Sequence, residues 1–550
     1  MTMSKSSKRW RCIGLGVLLS LPVSALSYLG SQAAGLPFLP FNLYDFFTRI
    51  LPRLMVLVGI DRLLQGSQQV TTPNMGAINA ILQPLIAVLL LGLVGALFGL
   101  ALVNLRQTKH FVRYGGVGGV ILAIIFSLIN QYLGFPEAGT WYSISFIAVM
   151  MILWGVSLGW AIEKLIYPSE TTEETVMNRR RFLAVAGSAI LAAIATAMGL
   201  IIPRRRGPQP PETSDLSPQP VRKANASAKT PSLRELGVDD TAEPAASPSL
   251  EALQARITPA PGTRPEITSN RDFYNIDINT TPPILDARSW SVEIKGLVNN
   301  PRYYALNEIK GFPTYSQFVT MSCISNSVGG GLISTAKWTG IRLLDLFEEV
   351  GLRPEARELY IEAADGFFES VAMADLMDPR TLLVYEMNGE PLPYEHGYPL
   401  RIYIPNRFGM KQPKWITSME AIDEEGPGYW VERGWSADAT ARTTSVFDNI
   451  TPANIEGDIL PMGGIAWAGA RGISKVEVQI DQGEWTEAKL RIPPLSPLTW
   501  VQWRFDWPVS QGQHTARVRT HDGEGELQAL EETGRRPDGS TGVDTISFEI

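Results

Sequence analysis

The chain has 550 residues, with 48 Lys plus Arg against 55 Asp plus Glu and a net charge of −7. At about 150 residues per domain this length allows three or four units, and the acidic balance excludes a general nucleic-acid binder, which needs a basic surface to displace counterions. Two cysteines, Cys12 and Cys323, exclude a disulfide scaffold and any multi-cysteine zinc or iron–sulfur site, and four scattered histidines exclude a His-rich metal centre.

The apolar content is concentrated in residues 1–202. A membrane span needs roughly 20 apolar residues, and five segments qualify, at about 12–34, 76–103, 115–134, 141–166 and 182–202. Lys5, Lys8, Arg9 and Arg11 precede the first, Arg106, Lys109 and Arg113 separate the second from the third, and Arg179, Arg180 and Arg181 precede the fifth. These clusters share one side if the N-terminus is cytoplasmic, as the positive-inside bias requires, and five spans then put everything after 202 outside. Arg204, Arg205 and Arg206 oppose this weakly, since they would lie outside too. The stretch 41–65, with Arg49, Arg53, Asp61 and Arg62 among apolar residues, reads as an interfacial helix rather than a sixth span. His110 falls in a loop, which leaves the membrane half without a pair of haem ligands. Gly115–Val120 (GGVGGV) has the look of a nucleotide loop, but no strand precedes it, and helix packing through small residues is the better reading.

Asn178–Leu183 (NRRRFL) ahead of a mild apolar stretch resembles a twin-arginine export signal, with Arg179 and Arg180 as the pair and Asn178 where the pattern prefers Ser or Thr. An ordinary positive-inside cluster is the alternative. The export pathway moves proteins already folded around a cofactor, and with no A-x-A-like cleavage site after 202 the segment is expected to stay as an anchor. Residues 203–265 carry 12 prolines and no run of large apolar residues. They are expected to form an extended, disordered linker, with a short helix near Ser249–Arg256.

From 290 onward strand patterns dominate, at 291–298, 318–323, 358–364, 381–387 and 401–405, with helical patterns at 341–350 and 373–377. Strict alternation is absent, which predicts an α+β domain rather than a doubly wound one. Cys323 ends an apolar strand and is followed by ISNSVGGG, whose glycines let the backbone approach a bulky ligand. Three readings stand: a small core residue, a nucleophile partnered by His396, or the single soft ligand of a metal held mainly by a cofactor.

The stretches TSNRDFYNID (268–277), VEIKGLVNNP (292–301), VTMSCISNSVGG (319–330), AKWTGIRLLDLF (336–347), YEMNGEPLPYEHGYPLRIYIP (385–405) and FGMKQPKWI (408–416) resemble, in order, the sulfite oxidase family of molybdenum enzymes, nearest its bacterial membrane-anchored branch. The resemblance implies one molybdenum–molybdopterin per chain and Cys323 as the protein ligand of molybdenum; no haem domain is expected beside it. By the same resemblance Asn270, Tyr274, Asp365, His396, Arg401, Lys411 and Lys414 hold the pterin. Sulfite-oxidising members place arginines just after the C-x-x-N segment, whereas Asn326 here is followed by Ser327 and Val328. Lys337, Arg433 and Trp435 are left as substrate-pocket candidates, and sulfite becomes a doubtful substrate beside an S- or N-oxide.

Residues 451–550 show short alternating strands that suggest an immunoglobulin-like β-sandwich. It resembles the family's C-terminal domain, which pairs subunits in several members; a sandwich that only packs on the catalytic domain is the alternative. The expected organisation is a membrane domain over 1–202, a linker over 203–265, a molybdopterin domain over 266–450 and the sandwich over 451–550. The chain would be a multi-pass protein of the bacterial cytoplasmic membrane with its catalytic domain on the extracytoplasmic side, transferring oxygen to or from a small molecule and exchanging electrons with a separate partner. A membrane-tethered scaffold that kept the fold and lost catalysis, and a thiol enzyme using Cys323 with His396, are the competing expectations.

Overall fold

The computed structural model describes residues 5–34, 36–50, 75–104, 110–133, 140–167, 248–279 and 282–550. The fifth expected span, the NRRRFL stretch and most of the linker lie outside the described residues. The chain divides into two compact units, one N-terminal and helical, the other holding the strands.

The helical unit contains α1 (Lys5–Ala34), α2 (Leu39–Ile50), α3 (Met75–Asn104), α4 (Phe111–Leu133) and α5 (Thr140–Leu165). Four of these, α1, α3, α4 and α5, are long and apolar enough to cross a membrane. Small residues let them touch backbone to backbone. On α4, Gly115 and Gly119 face Gly155 and Gly159 of α5, so closely that a Cβ at Gly115 or Gly155 would overlap the facing helix's carbonyl oxygens. Gly16 on α1 meets Gly95 on α3 in the same way. The GGVGGV run is thus a packing surface. Helix α2 spans only 12 residues, about 18 Å at 1.5 Å per residue, which is short of a bilayer crossing. One face of it packs within the unit: Leu39 and Leu43 are buried, and the Asn42 Nδ2 donates to Asn130 Oδ1 of α4 at 2.7 Å. Residues 51–65 lie outside the described set.

The second unit opens with a one-turn helix at Leu250–Gln254, capped by the Ser249 hydroxyl. Two sheets follow. The first runs in the order β2 (Arg302–Ala305), β1 (Ser291–Gly296), β10 (Ile416–Ile422), β5 (Glu358–Ala363), β6 (Phe368–Ala372), antiparallel except for the β1–β10 pair. The second runs β3 (Tyr315–Ser322), β4 (Ile333–Arg342), β7 (Leu382–Met387), β8 (Glu390–Pro391), with β9 (Arg401–Tyr403) also on β7. The alternation in SVEIKG and ELYIEA is one-sided burial: Val292, Ile294, Leu359 and Ile361 point into a core shared with Trp338 and Ile341 of the second sheet. Helix Leu343–Val350 follows β4 directly and ends at Gly351, whose φ of 67° suits a residue without Cβ.

Two further four-stranded sheets close the chain. One is β11 (Thr444–Asn449), β12 (Ile459–Trp467), β16 (Val501–Pro508), β15 (Lys489–Leu490); the other is β14 (Thr486–Glu487), β13 (Ile473–Ile480), β17 (Gln513–Asp522), β18 (Asp544–Glu549). Leu460, Met462 and Trp503 of one meet Val476, Val478 and Val518 of the other. Strand β11 pairs with β12, so this β-rich region begins ahead of residue 451. It is joined to the preceding sheets by a common cluster: Ile324, Ile333 and Phe408 pack with Val446, Ile465, Trp467 and Trp500. The Trp500 N–H also donates to Thr320 Oγ1 of β3 at 2.8 Å.

Candidate active site

Cys323 is the first residue beyond β3, in the connection to β4. Three hydrogen bonds fix that connection. The Cys323 N–H donates to the Leu332 carbonyl at 2.9 Å, the Asn326 N–H donates to the Cys323 carbonyl at 3.0 Å, and the Leu332 N–H donates to Asn326 Oδ1 at 2.9 Å. Asn326 therefore staples the two ends of the loop, and the absence of a Cβ at Gly330 leaves room for its side-chain oxygen. Cys323 is 9% exposed, and its sulfur lies 3.1 Å from Ser325 Oγ. Burial pushes the thiol's pKa up; hydrogen bonds from Ser325 and the positive charge of Arg535 act the other way.

Tyr274 sits beside this sulfur. Its N–H donates to Ser334 Oγ at 3.1 Å, and its hydroxyl occupies the space that a Cβ on Gly409 would take. Its charge couples to both Cys323 and Arg401. Arg401 on β9 is 4% exposed; it donates to the His396 carbonyl at 3.1 Å and lies 4.8 Å from the centre of the Trp338 ring. Its Nε has no hydrogen-bond partner, and no carboxylate pairs with it among the described residues. Burial pulls its pKa down to about 10. His396 is 2% exposed, with Nε2 2.8 Å from the Asn270 carbonyl oxygen. Burial first, then the charges of Lys414 and Arg401, hold its pKa down at about 3, so the imidazole is neutral at ordinary pH. The Lys414 ammonium donates to Asn275 Oδ1 at 2.7 Å and the Glu395 carbonyl at 2.9 Å, and pairs with Asp277. Asp365 is buried at the turn between β5 and β6, where Oδ1 accepts from the Phe367 N–H at 2.9 Å; its charge bears on Lys414.

The sequence-derived candidates thus divide. Cys323, Tyr274, His396, Arg401, Lys414 and Asp365 form one linked neighbourhood. Asn270 contributes its backbone carbonyl to it, while its side chain bonds Met387 and Asn388 on the β7–β8 hairpin. Lys411 turns away: its ammonium donates to Glu369 Oε1 at 2.7 Å and the Ser370 carbonyl at 2.9 Å, a nearly dry ion pair. The short 3-10 turn Gly409–Lys411 directs it to β6. Arg433 folds onto Tyr429, donating to its carbonyl at 2.6 Å and stacking on its ring, rather than toward the sulfur. Lys337 is exposed on β4. Trp435 packs near Ile324 and Phe408, under Arg536 at 4.9 Å.

Arg535 was not among the sequence candidates. It lies between β17 and β18, where the chain folds back: Gly539 sits against Phe408 and the Ile324 carbonyl, and the Pro537 carbonyl accepts from the Ser436 N–H at 3.1 Å. No local pattern around GRRPDGSTG signals this contact, since sheet packing creates it. Among the described residues no group of three His, Cys, Asp or Glu side chains could hold a metal ion, so a metal at Cys323 would need most of its ligands from a non-protein group.

Residues 279–430 match the family described as "Oxidoreductase molybdopterin binding domain". The chain is 30% identical over 182 residues to the uncharacterized oxidoreductase YuiH of Bacillus subtilis, covering 32% of this chain and 90% of that protein. It is 28% identical over 299 residues to the mitochondrial sulfite oxidase of Drosophila melanogaster, covering 45% of this chain and 52% of that protein, so it spans about half of that relative's length. Among solved structures, the sulfane dehydrogenase SoxCD of Paracoccus pantotrophus is similar at 21% identity and a TM-score of 0.46, over 60% of this chain and 92% of that one. The domain match takes in the strands around Cys323, and the kinship to YuiH runs through nearly all of that protein: the chain belongs to the sulfite oxidase family of molybdopterin-binding oxidoreductases.

Proposed function

We propose that the protein is a membrane-anchored oxidoreductase that uses molybdenum–molybdopterin to move an oxygen atom to or from a small substrate. The observation that carries this is the buried guanidinium of Arg401, which has an unsatisfied Nε and no carboxylate in salt-bridge contact among the described residues. A cation out of water without a counter-ion is costly, and an anionic cofactor would relieve it. The residues fit the group: Arg401 offers a donor suited to the cofactor's phosphate, Lys414 adds positive charge nearby while its own protons are held by Asn275, Glu395 and Asp277, neutral His396 and Tyr274 offer polar contacts for a pterin ring, and Cys323 offers the soft ligand. The bound cofactor would supply two-electron oxygen-atom exchange. The protein's own part is to fix Cys323 through the Asn326 staple, to hold His396 neutral, and to keep water out with the Ile324–Phe408 cluster.

Substrate follows from charge. The stretch after Asn326 lacks arginine, but Arg535 brings one cation to the sulfur's side. One arginine suits an S- or N-oxide or a singly charged anion better than sulfite dianion. The apolar helices support a membrane anchor, with the catalytic region outside the cytoplasm by the charge bias of the N-terminal loops, and electrons exchanged with a separate redox partner. The organisation 1–202, 203–265, 266–450 and 451–550, with β11 moved into the last unit, goes with this reading, as does an immunoglobulin-like class for the C-terminal sheets, which could pair two subunits.

The test is elemental analysis of the full-length protein, purified from cells that make the cofactor, beside Cys323→Ser. About one molybdenum per chain, lost or spectrally altered in the variant, is expected. No molybdenum in folded wild-type protein would defeat the reading. Dye-linked assays with sulfite against methionine sulfoxide and trimethylamine N-oxide then test the substrate class.

A further inference from the structure

We infer that Ser325 is a positioning residue for the metal-ligating sulfur: its hydroxyl donates a hydrogen bond to Cys323 Sγ and thereby sets the reduction potential of the centre. The inference rests on the assignment of Cys323 as the molybdenum ligand. Three observations support it. Ser325 Oγ lies 3.1 Å from the sulfur, and the Ser325 N–H faces the same sulfur. The hydroxyl has no other hydrogen-bond partner among the described residues, so its proton is available. The loop that carries Ser325 cannot drift, because Asn326, the next residue, bonds both the Cys323 carbonyl and the Leu332 N–H.

The direction of the bond follows from the chemistry of the sulfur. A metal-ligating cysteine is a thiolate and has no proton to give, so the serine must donate. A hydrogen bond to a ligating sulfur withdraws charge that would otherwise reach the metal, and such bonds are among the means by which a protein raises a centre's potential. The surroundings strengthen the effect. Ile324, Ile333 and Phe408 line a buried apolar cluster next to the loop, and a hydrogen bond acts more strongly in low dielectric than in water. Ser325 need not touch the substrate to do this; it acts through Cys323.

The experiment compares Ser325→Ala, Ser325→Thr and Ser325→Val in the full-length holoenzyme. Three quantities are read: molybdenum per chain, the midpoint of the one-electron reduction followed by electron paramagnetic resonance, and the sulfur-to-metal charge-transfer band. Ser325→Ala should keep its molybdenum, move the charge-transfer band to lower energy, and shift the reduction equilibrium by up to about tenfold toward the oxidised form, about 59 mV for one electron. Ser325→Thr, which keeps a hydroxyl, should match wild type. If Ser325→Ala fails to load metal, the nearly isosteric Thr and Val variants decide: a lowered potential in Val alone supports the inference, and equal potentials overturn it. Unchanged potential and band in a metal-loaded Ser325→Ala also overturn it, while leaving the molybdenum assignment intact. Wild-type protein without molybdenum would remove both together.

Discussion

Lys411 and Lys414 stand three residues apart on the same segment, yet burial gives them different work. Lys414 reaches Asn275, Asp277 and the Glu395 carbonyl beside Arg401. Lys411 meets Glu369, which is fully buried and whose carboxyl is pushed up to about 7 by burial against the opposing charge of Lys411. Removing one member of such a pair leaves the other charged and dry, but the two removals are not equivalent. Glu369→Gln strands an ammonium and should cost about 3–5 kcal/mol. Lys411→Met strands a carboxyl already close to taking up a proton, which can neutralise itself, so its cost should be the smaller. Neither should change molybdenum per folded chain. Thermal melts of the three proteins with metal analysis check this; loss of metal from stable Lys411→Met protein would return Lys411 to the cofactor. The sequence could not separate these lysines, because which way each points depends on a short turn and on a partner in β6.

Elements whose periodicity matches one-sided burial were legible from residues alone. The strands at 291–296, 358–363 and 382–387 fall within one or two residues of their expected positions, and the helix at Leu343–Val350 lies inside the expected stretch. Cys323 itself stood out as a residue, but the residues alone leave its three readings open, and what favours the metal-ligand reading, the loop and the buried Arg401, depends on tertiary packing. In the membrane unit, glycine spacing carried the information. Gly155 has the Gly115 carbonyl and the Gly119 N–H directly against it, so a side chain there must push α4 and α5 apart. Gly155→Leu should therefore lower the melting midpoint and the folded yield in detergent, as overpacking costs about 1–3 kcal/mol or more. Val117 lies 59% exposed on α4, and Val117→Leu should leave both unchanged. A Gly155→Leu protein as stable as wild type would mean that the two helices do not rely on this contact.

At the scale of the strand-bearing unit, the C-terminal sheets pack against the loop that carries Cys323. They share a core with the Cys323 loop through Val446, Ile465, Trp467 and Trp500, and their β17–β18 connection brings Arg535 to bear on the sulfur. This contact was invisible in the sequence because a turn-rich stretch near the end of the chain has no local relation to a strand end in its middle. On the proposed function it would supply a cation where Ser327 and Val328 follow Asn326. Arg535 makes no salt bridge among the described residues; on the proposed reading its charge would be available to a substrate, and a charge-assisted hydrogen bond is worth about 1.5–3 kcal/mol. Arg535→Met should therefore raise KM for an anionic substrate by about ten- to a hundredfold, with a smaller change in kcat and a weaker dependence of kcat/KM on salt. A neutral S-oxide should lose less. Arg519→Met is the control: Arg519, on β17, pairs with Glu477, and its loss removes the same charge from a residue that does not bear on the Cys323 thiol. Equal effects of the two substitutions would reduce Arg535 to a contribution to net charge; a large effect of Arg535→Met alone would make the C-terminal region the source of the pocket's anion selectivity.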